Sequence, residues 1–230
     1  MIAQELQGEL RGERSQSSRP IKLVLDRVIA GVALLFLTPI LITVAIAVHF
    51  WMGDPILFAQ TRCGKKAKIF QVYKFRSMTN DCDANGNLCS DEDRLTSFGK
   101  FIRRVKLDET LQLWNILKGD MSFVGPRPTV LEQVKDYRDW QKARLFITPG
   151  LTGWAQVNGN TELTWTERIC LDIWYLHHWS LWMDVQILFK TLGVVIWGER
   201  RNEKALAEAL RYAQYSLKVD LSQPIAESLR

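Results

Sequence analysis

Two adjacent carboxylates, Asp108 and Glu109, follow the cations Arg103, Arg104 and Lys106, and their types and placement suit them to chemistry. Leu107, Leu111, Trp114 and Leu117 recur at helical spacing, which predicts a helix with that face turned inward, stopped at Gly119 just after Lys118. Adjacent helical positions point about 100° apart, so one carboxylate can reach a reacting phosphorus while the other holds a metal. Further on, Pro126 and Pro128 bracket Arg127 and stiffen its backbone. Acids, cations and a rigid arginine suit phosphate chemistry. The same residues also have plainer readings. An Asp at a helix start caps it, a Glu in the first turn complements the dipole, Arg103 and Arg104 form a solvated face, and Pro-Arg-Pro is a loop. No Glu or Gln at position 111 completes a capping box.

Four stretches extend the pattern: Leu107-Asp108-Glu109, Gln112-Leu113-Trp114-Asn115, Lys118-Gly119-Asp120-Met121-Ser122 and Val124-Gly125-Pro126-Arg127-Pro128. Together they resemble the signature of the bacterial sugar transferases. These are the monotopic polyprenyl-phosphate phosphoglycosyl transferases, or undecaprenyl-phosphate sugar phosphotransferases. Lys74-Phe75-Arg76-Ser77-Met78 upstream and the run Pro149 to Gly159 downstream continue the match, which covers roughly residues 20 to 195. The resemblance implies transfer of a sugar 1-phosphate from a UDP-sugar to polyprenyl phosphate, with release of UMP, as the first step of glycoconjugate or exopolysaccharide assembly. It makes Asp108 the nucleophile that forms an aspartyl phosphosugar. Glu109 helps to hold Mg²⁺, and Arg103 and Arg127 grip phosphate oxygens. Two positions depart from the pattern: Thr110-Leu111-Gln112 stands where Leu-Pro-Gln is common, and Lys106 where Ser is frequent. Lys106 adds a cation expected to lower the pKa of Asp108.

The elements that must position these groups follow from the rest of the chain. Its 230 residues, 47% hydrophobic and 24% charged, suit one packed domain with appendages. A net charge of +5 is compatible with nucleic acid, an anionic membrane surface or phosphorylated substrates. Cys63, Cys82, Cys89 and Cys170 include no C-x-x-C pair, which argues for reduced thiols over zinc or a disulfide framework. Neither G-x-G-x-x-G after a strand nor G-x-x-x-x-G-K occurs, so the ordinary dinucleotide and ATP cradles are absent.

Residues 1 to 20 are polar. Val28 to Val48 then holds no charged residue over 21 positions, enough for a transmembrane span. Against a span stand Pro39 in mid-run, with Thr38 before it to satisfy a freed carbonyl, and basic residues on both flanks, which favour no orientation. The residues alone leave spanning and re-entrant readings open. The resemblance implies a re-entrant helix-break-helix over 21–52, with the break at Thr38-Pro39. Asp26 and Arg27 are expected to pair with each other or with lipid headgroups.

A hairpin is predicted from Ile56 to Phe75, turning at Cys63 to Lys66, with the cations Lys74 and Arg76 on one face and Tyr73 and Phe75 on the other. Thr79 to Asp93 reads as an exposed loop and Thr129 to Phe146 as a helix. Trp165, Trp174, Trp179, Trp182 and Trp197 suit either a membrane interface or the core. Leu206, Leu210, Ala213 and Leu217 predict an amphipathic tail helix for self-association, a membrane surface or core packing.

The fold class expected is α/β, mostly α with a small hairpin. A flexible 1–20 precedes a membrane segment 21–52, a catalytic domain 53–200 with interfacial amphipathic helices, and a tail 201–230. The partners expected are a UDP-sugar, polyprenyl phosphate and membrane lipids, with homo-oligomer formation open, at the cytoplasmic face of the bacterial inner membrane. Two rival readings are a non-catalytic, membrane-attached interaction protein and a nucleic-acid binder, the latter without a groove-reading motif.

Overall fold

The computed structural model describes residues 13–219, so parts of the expected flexible N-terminus (1–12) and tail (220–230) lie outside the described residues. A 40-residue helix, α1 (Glu13–Met52), leads into an antiparallel hairpin of β1 (Leu57–Cys63) and β2 (Ile69–Phe75). Short helices α2 (Asp91–Arg94) and α3 (Ser97–Arg104) follow, then a 3-10 turn at Leu107–Glu109 and α4 (Gln112–Lys118). β3 (Ser122–Val124), α5 (Leu131–Lys135), β4 (Gly150–Thr152) and α6 (Trp154–Val157) lead to the longer helices α7 (Trp165–His178), α8 (Leu181–Trp197) and α9 (Glu203–Tyr215). The expected hairpin is present. Beside it the structure adds a small parallel pairing of β3 with β4, Ser122 opposite Gly150 and Val124 opposite Thr152.

Helix α1 is long and apolar enough over Pro20–Met52 to cross a membrane. It differs from the expected helix-break-helix in being one helix, continuous through Pro39. Proline removes a single bond, and neighbouring hydroxyls compensate locally: Thr38 donates to the Leu34 carbonyl at 2.7 Å and Thr43 to the Pro39 carbonyl at 2.9 Å. One stripe of α1 touches the rest of the protein from Lys22 to Met52. Lys22, Asp26, Ala30, Val44 and Val48 are buried, while Leu35, Phe36, Ile42, Phe50 and Trp51 are exposed. Ala30 packs with Phe70, Val72, Leu113, Ile116 and Met121, and Val44 and Val48 pack with Phe75 and Ile102.

At its N-terminal half, α1 is tied down by a buried polar network. Lys22 lies 2.8 Å from Asp184 and 3.4 Å from Asp26, Ser122 donates to Asp26 at 2.6 Å, and Tyr175 donates to Asp184 at 2.6 Å. Asp26 therefore pairs with Lys22 and Ser122 and not with Arg27. The guanidinium of Arg27 instead covers Gly119, where a Cβ would meet it at 2.1 Å. Gly119 has φ +86°, so it caps α4 in a conformation and a space that only glycine accepts.

A third and largest cluster joins α7, α8 and α9 around Ile169, Leu171, Tyr175, Ile187, Leu206 and Ala209. Of the three roles open to the tail helix, α9 takes core packing, with Leu206 and Ala213 buried against this cluster. The tryptophans divide. Trp179 is buried, Trp165 and Trp174 pack against the core, and Trp182 and Trp197 are exposed. The single helix expected over Thr129–Phe146 is interrupted between α5 and a 3-10 stretch, Gln141–Phe146. There the buried Gln141 side chain accepts from the Arg138 amide at 2.8 Å, an alternative to helical pairing that turns Tyr137 and Trp140 inward.

The α4 face also differs from its expectation. Leu113, Asn115 and Ile116 are the buried positions, and Trp114 is 51% exposed. Asn115 explains the rotation. Its amide donates to the Gln71 carbonyl at 2.6 Å and its oxygen accepts from the Tyr73 amide at 3.4 Å, so one side chain satisfies the open edge of β2. Replacing Asn115 with Ala leaves both backbone groups buried and unpaired. Asn115→Ala is expected to lower unfolding stability by about 1–3 kcal/mol in urea titrations. A loss below about 0.5 kcal/mol would show that water replaces both bonds.

Candidate active site

The path to the acid pair begins where α3 ends. Lys106 adopts a left-handed conformation, φ +59°, which turns the chain out of α3 and into the 3-10 turn carrying Asp108 and Glu109. Neither that turn nor α4 has a side-chain cap bond at its start, so the capping reading of Asp108 does not describe the structure. Asp108 is buried, its Oδ1 has no hydrogen-bond partner, and it lines a cavity of about 650 Å³. Lys74, Arg76, Arg94, Arg103 and Lys106 line the same cavity. A carboxylate left unpartnered in such a place is costly unless a ligand meets it.

Glu109 is held differently. Lys74 reaches its Oε1 at 2.5 Å and Arg127 reaches the same oxygen at 3.1 Å. Burial pushes the Glu109 carboxyl up, but the charges of Arg127 and Lys74 outweigh it and bring the group down to about 2. Asp108 moves the other way. Burial and then the charge of Glu109 raise it above the ordinary carboxylate range, against Lys74, Arg103 and Lys106. Lys106 does pull downward as expected from its sequence position, but the net direction is the reverse, because it is outweighed by desolvation and a like-charged neighbour. The two carboxylates thus differ in state: Glu109 is firmly ionised, and Asp108 is a weaker acid and stronger base.

Each cation is placed by a distinct piece of backbone. Lys74 projects from the end of β2. Phe75, next to it, packs against α1, and Arg76 turns back to donate to the carbonyls of Met52, Gly53 and Asp54 at the end of α1. The alternation predicted for this strand therefore buries both cations in specific partners and leaves no solvated face. Ser77 accepts from Arg103 Nε at 2.7 Å and fixes that guanidinium toward the cavity.

Arg127 depends on close backbone packing. Gly125 and Gly150 approach so nearly that a Cβ on Gly150 would meet the Gly125 nitrogen at 2.1 Å, and the Gly150 amide donates to the Pro126 carbonyl at 2.9 Å. Only glycine permits this approach, which sets the direction of the Pro126-Arg127-Pro128 turn. Below it, Arg144 donates to the Arg127 carbonyl at 3.2 Å while paired with buried Asp172 at 2.6 Å, and Arg62 donates to the Pro128 carbonyl at 3.3 Å.

The structure thus brings Asp108, Glu109, Arg103 and Arg127 into one neighbourhood, with Asp108 and Arg103 on the large cavity and Arg127 on the far side of Glu109. Thr38 and Pro39 lie on α1 and line neither cavity. Sequence reasoning gave no site role to Lys74, Ser77 or Arg94. The signal available was the cation–aromatic alternation of Lys74-Phe75-Arg76, read there as an ordinary half-buried strand. Among the described residues no group of three or more His, Cys, Asp or Glu side chains could hold a metal. Both cation contacts of Glu109 end on Oε1, which leaves Glu109 Oε2 for a hard cation, with the Asp108 carboxylate lining the same cavity beside it. That donor set suits Mg²⁺, which is bound through one or two carboxylates with substrate phosphates and water supplying the rest.

Comparison with known proteins fits this geometry. Residues 17–198 match the family of bacterial sugar transferases. An uncharacterized sugar transferase of Bacillus subtilis, EpsL, is 43% identical over 171 residues, covering 74% of this chain and 85% of its own. The undecaprenyl-phosphate galactose phosphotransferase of Salmonella typhimurium is 37% identical over 203 residues, 79% of this chain and 41% of its own. The UDP-glucose:undecaprenyl-phosphate glucose-1-phosphate transferase of Escherichia coli is 37% identical over 186 residues, 76% of this chain and 40% of its own. The chain therefore spans most of the Bacillus relative and about two fifths of the other two. With most of its length matched, and with its acid pair, its Pro-Arg-Pro turn and the lysine of β2 assembled around one carboxylate, the chain belongs to the bacterial sugar transferase family.

Proposed function

We propose that the protein moves a sugar 1-phosphate from a UDP-sugar to polyprenyl phosphate through an aspartyl phosphosugar on Asp108. The observation carrying this reading is the unpartnered, buried Asp108 oxygen on a cavity ringed by five cationic side chains. In the first step an Asp108 carboxylate oxygen attacks the β-phosphorus, an Asp–O–P bond forms, and the bond to the departing UMP oxygen breaks with its electron pair. In the second, an oxygen of polyprenyl phosphate attacks the same phosphorus, the Asp–O–P bond breaks, and the carboxylate is regenerated with a pyrophosphate-linked glycolipid as product. The raised basicity of Asp108 favours bond formation to phosphorus. Arg103, fixed by Ser77, and Arg127, fixed by Arg144, hold phosphate oxygens. Glu109 would help to hold Mg²⁺ through Oε2, and the ion when bound would neutralise and orient the diphosphate. The Salmonella and E. coli relatives, named for transfer of galactose phosphate and glucose 1-phosphate to undecaprenyl phosphate, support this substrate class.

We place the protein at the cytoplasmic face of the bacterial inner membrane, with α1 seated as one continuous helix in the adjacent leaflet and both of its ends on the same side. Contacts of α1 with the catalytic part run from Lys22 to Met52, and a perpendicular crossing would draw that charged body into the bilayer. In a Cys82→Ser, Cys89→Ser background, Ile21→Cys and Trp51→Cys are both expected to react with an impermeant maleimide from the cytoplasmic side only. Labelling of one of them from the opposite side would establish a crossing helix instead.

Turnover is tested with purified protein, Mg²⁺, polyprenyl phosphate and a panel of UDP-sugars, reading UMP release and glycolipid formation. Asp108→Asn is expected to reduce UMP release by at least about a thousandfold. Because the folded state holds the Asp108 carboxylate above its ordinary pKa, its ionisation at neutral pH is destabilising, so the same variant is expected to melt higher than wild type. Loss of activity with a lower melting temperature would instead point to misfolding. Undiminished UMP release in Asp108→Asn would sink the mechanism, and no turnover of any UDP-sugar by wild type would favour the non-catalytic membrane-attached reading.

The pH profile follows from the same shift. Attack requires ionised Asp108, so kcat/KM falls as pH drops through its pKa, which burial and Glu109 raise and the surrounding cations lower. Arg103 holds the group down, so Arg103→Met is expected to move the limb to higher pH as well as weakening phosphate binding. A limb that moves down or stays still in Arg103→Met rules out Asp108 as the titrating group.

A further inference from the structure

Resting on that reading, we propose that a second, smaller cavity on the other side of Glu109 receives the first isoprenoid units of the acceptor lipid, so that the two substrates share one phosphate position and diverge from it. The second cavity has a volume of about 240 Å³. Lys106 and Glu109 line both cavities, Asp108 lines only the large one, and Arg127 lines only the small one. Its charged end is therefore the phosphate-gripping wall of the active site. Away from that end it is bounded by Leu113, Phe123, Leu151, Leu188, Val194 and Val195. Its polar rim residues Asn160 and Glu199 bond to each other at 2.5 Å. Thr152 and Thr191 are likewise bonded to each other at 2.7 Å, and Gln156 donates to the Leu151 carbonyl at 3.0 Å. Most of the polar lining is therefore spent within the protein, and the charged end with its apolar wall fits an amphiphile with a phosphate head.

The surroundings supply the occupant. Leu188 and Val195 belong also to the exposed stripe of α8, Leu181, Val185, Leu188, Leu192 and Val195, beside exposed Trp182 and Trp197. The cavity is thus continuous with an apolar, tryptophan-flanked surface of the kind that meets a bilayer, the phase from which a polyprenyl chain arrives. The chemistry points the same way. In-line displacement puts the departing UMP oxygen opposite Asp108 in the first step and the entering lipid phosphate oxygen opposite Asp108 in the second. Both phosphates must therefore use one position, and only their remainders can occupy different space. The larger, cation-lined cavity takes the nucleotide and the smaller apolar one takes the prenyl chain.

Val195→Trp, placed at an exposed position on the cavity wall, tests this. The donor half-reaction is read alone as exchange of radiolabelled UMP into whichever of UDP-glucose, UDP-galactose or UDP-N-acetylgalactosamine wild type turns over, with no lipid added. The acceptor is read as the KM for farnesyl phosphate in the full reaction. The expected result is exchange within twofold of wild type and a KM for farnesyl phosphate raised at least tenfold, with Val195→Ile close to wild type in both. Exchange reduced together with the acceptor reaction would assign the cavity to the nucleotide and overturn the proposal, as would an unchanged KM. Absence of exchange in wild type would instead overturn the catalytic reading on which the proposal rests.

Discussion

The structure depends on one carboxylate oxygen, Oε1 of Glu109, on which Lys74 and Arg127 converge at 2.5 and 3.1 Å. These cations come from segments that share no secondary structure, the end of a hairpin and a proline-bracketed turn. The carboxylate they meet sits on a third segment, a single 3-10 turn. Such a convergence is stable only if each segment is held independently, since a buried ion with a missing partner is strongly destabilising. Each support is visible. Asn115 fastens α4 to the edge of β2, the Gly125–Gly150 approach fixes the turn from one side, and the Arg144–Asp172 pair holds it from below. Of these supports Asn115, Gly125 and Gly150 fall within the motif stretches that surround the acid pair, and Arg144 and Asp172 lie outside them.

Helix α1 belongs to this arrangement and is more than an anchor attached to it. Two of the three apolar clusters include its side chains, and Arg76 binds the carbonyls at its end while Lys74, two residues earlier, binds Glu109. The strand that completes the active site is thus the strand that grips the apolar helix. At the other end of the contact, Lys22 and Asp26 bury charge against Asp184 and Ser122. Burying ions in this way adds little stability, but it specifies one seating of a helix whose apolar surface would otherwise slide. Because Arg76 and Lys74 lie on one strand, this seating also fixes where the acid pair stands relative to the apolar face of α1.

Much of this was legible in the residues before any coordinates, and the failures share a cause. The acid pair, the stop at Gly119, the hairpin and the tail helix follow from local patterns: spacing, turn chemistry, periodicity. The orientation of α4 did not, because Asn115 answers to a strand more than forty residues away, and the apolar count favoured Trp114. The helix expected over Thr129–Phe146 fails for a similar reason: buried Gln141 and Arg144 serve backbone groups that only the tertiary fold brings near. The downward pull of Lys106 on Asp108 was legible in the sequence, and the net upward shift was not. A cation two residues away counts for less than burial and the adjacent acid, and burial is not a local property. Lys74 looked like one half of an alternating strand until its partner was placed beside it.

Charge bookkeeping around the large cavity shows why the acid pair can persist. Five cations line it, Lys74, Arg76, Arg94, Arg103 and Lys106, against three carboxylates, Asp91, Asp108 and Glu109. Three of the cations are already engaged: Lys74 with Glu109, Arg76 with the carbonyls that end α1, and Arg94 with the Thr79 carbonyl. Arg103 meets only a neutral hydroxyl, and Lys106, held in a left-handed turn, faces the space between the two cavities. These two do not offset burial and the charge of Glu109, so the Asp108 carboxyl stays above its ordinary pKa. Under the proposed function, a diphosphate in this cavity meets positive charge that the protein has not satisfied internally, beside a carboxylate with an unpartnered oxygen. The instability of the unliganded site and its affinity for phosphate are therefore the same arrangement of charge.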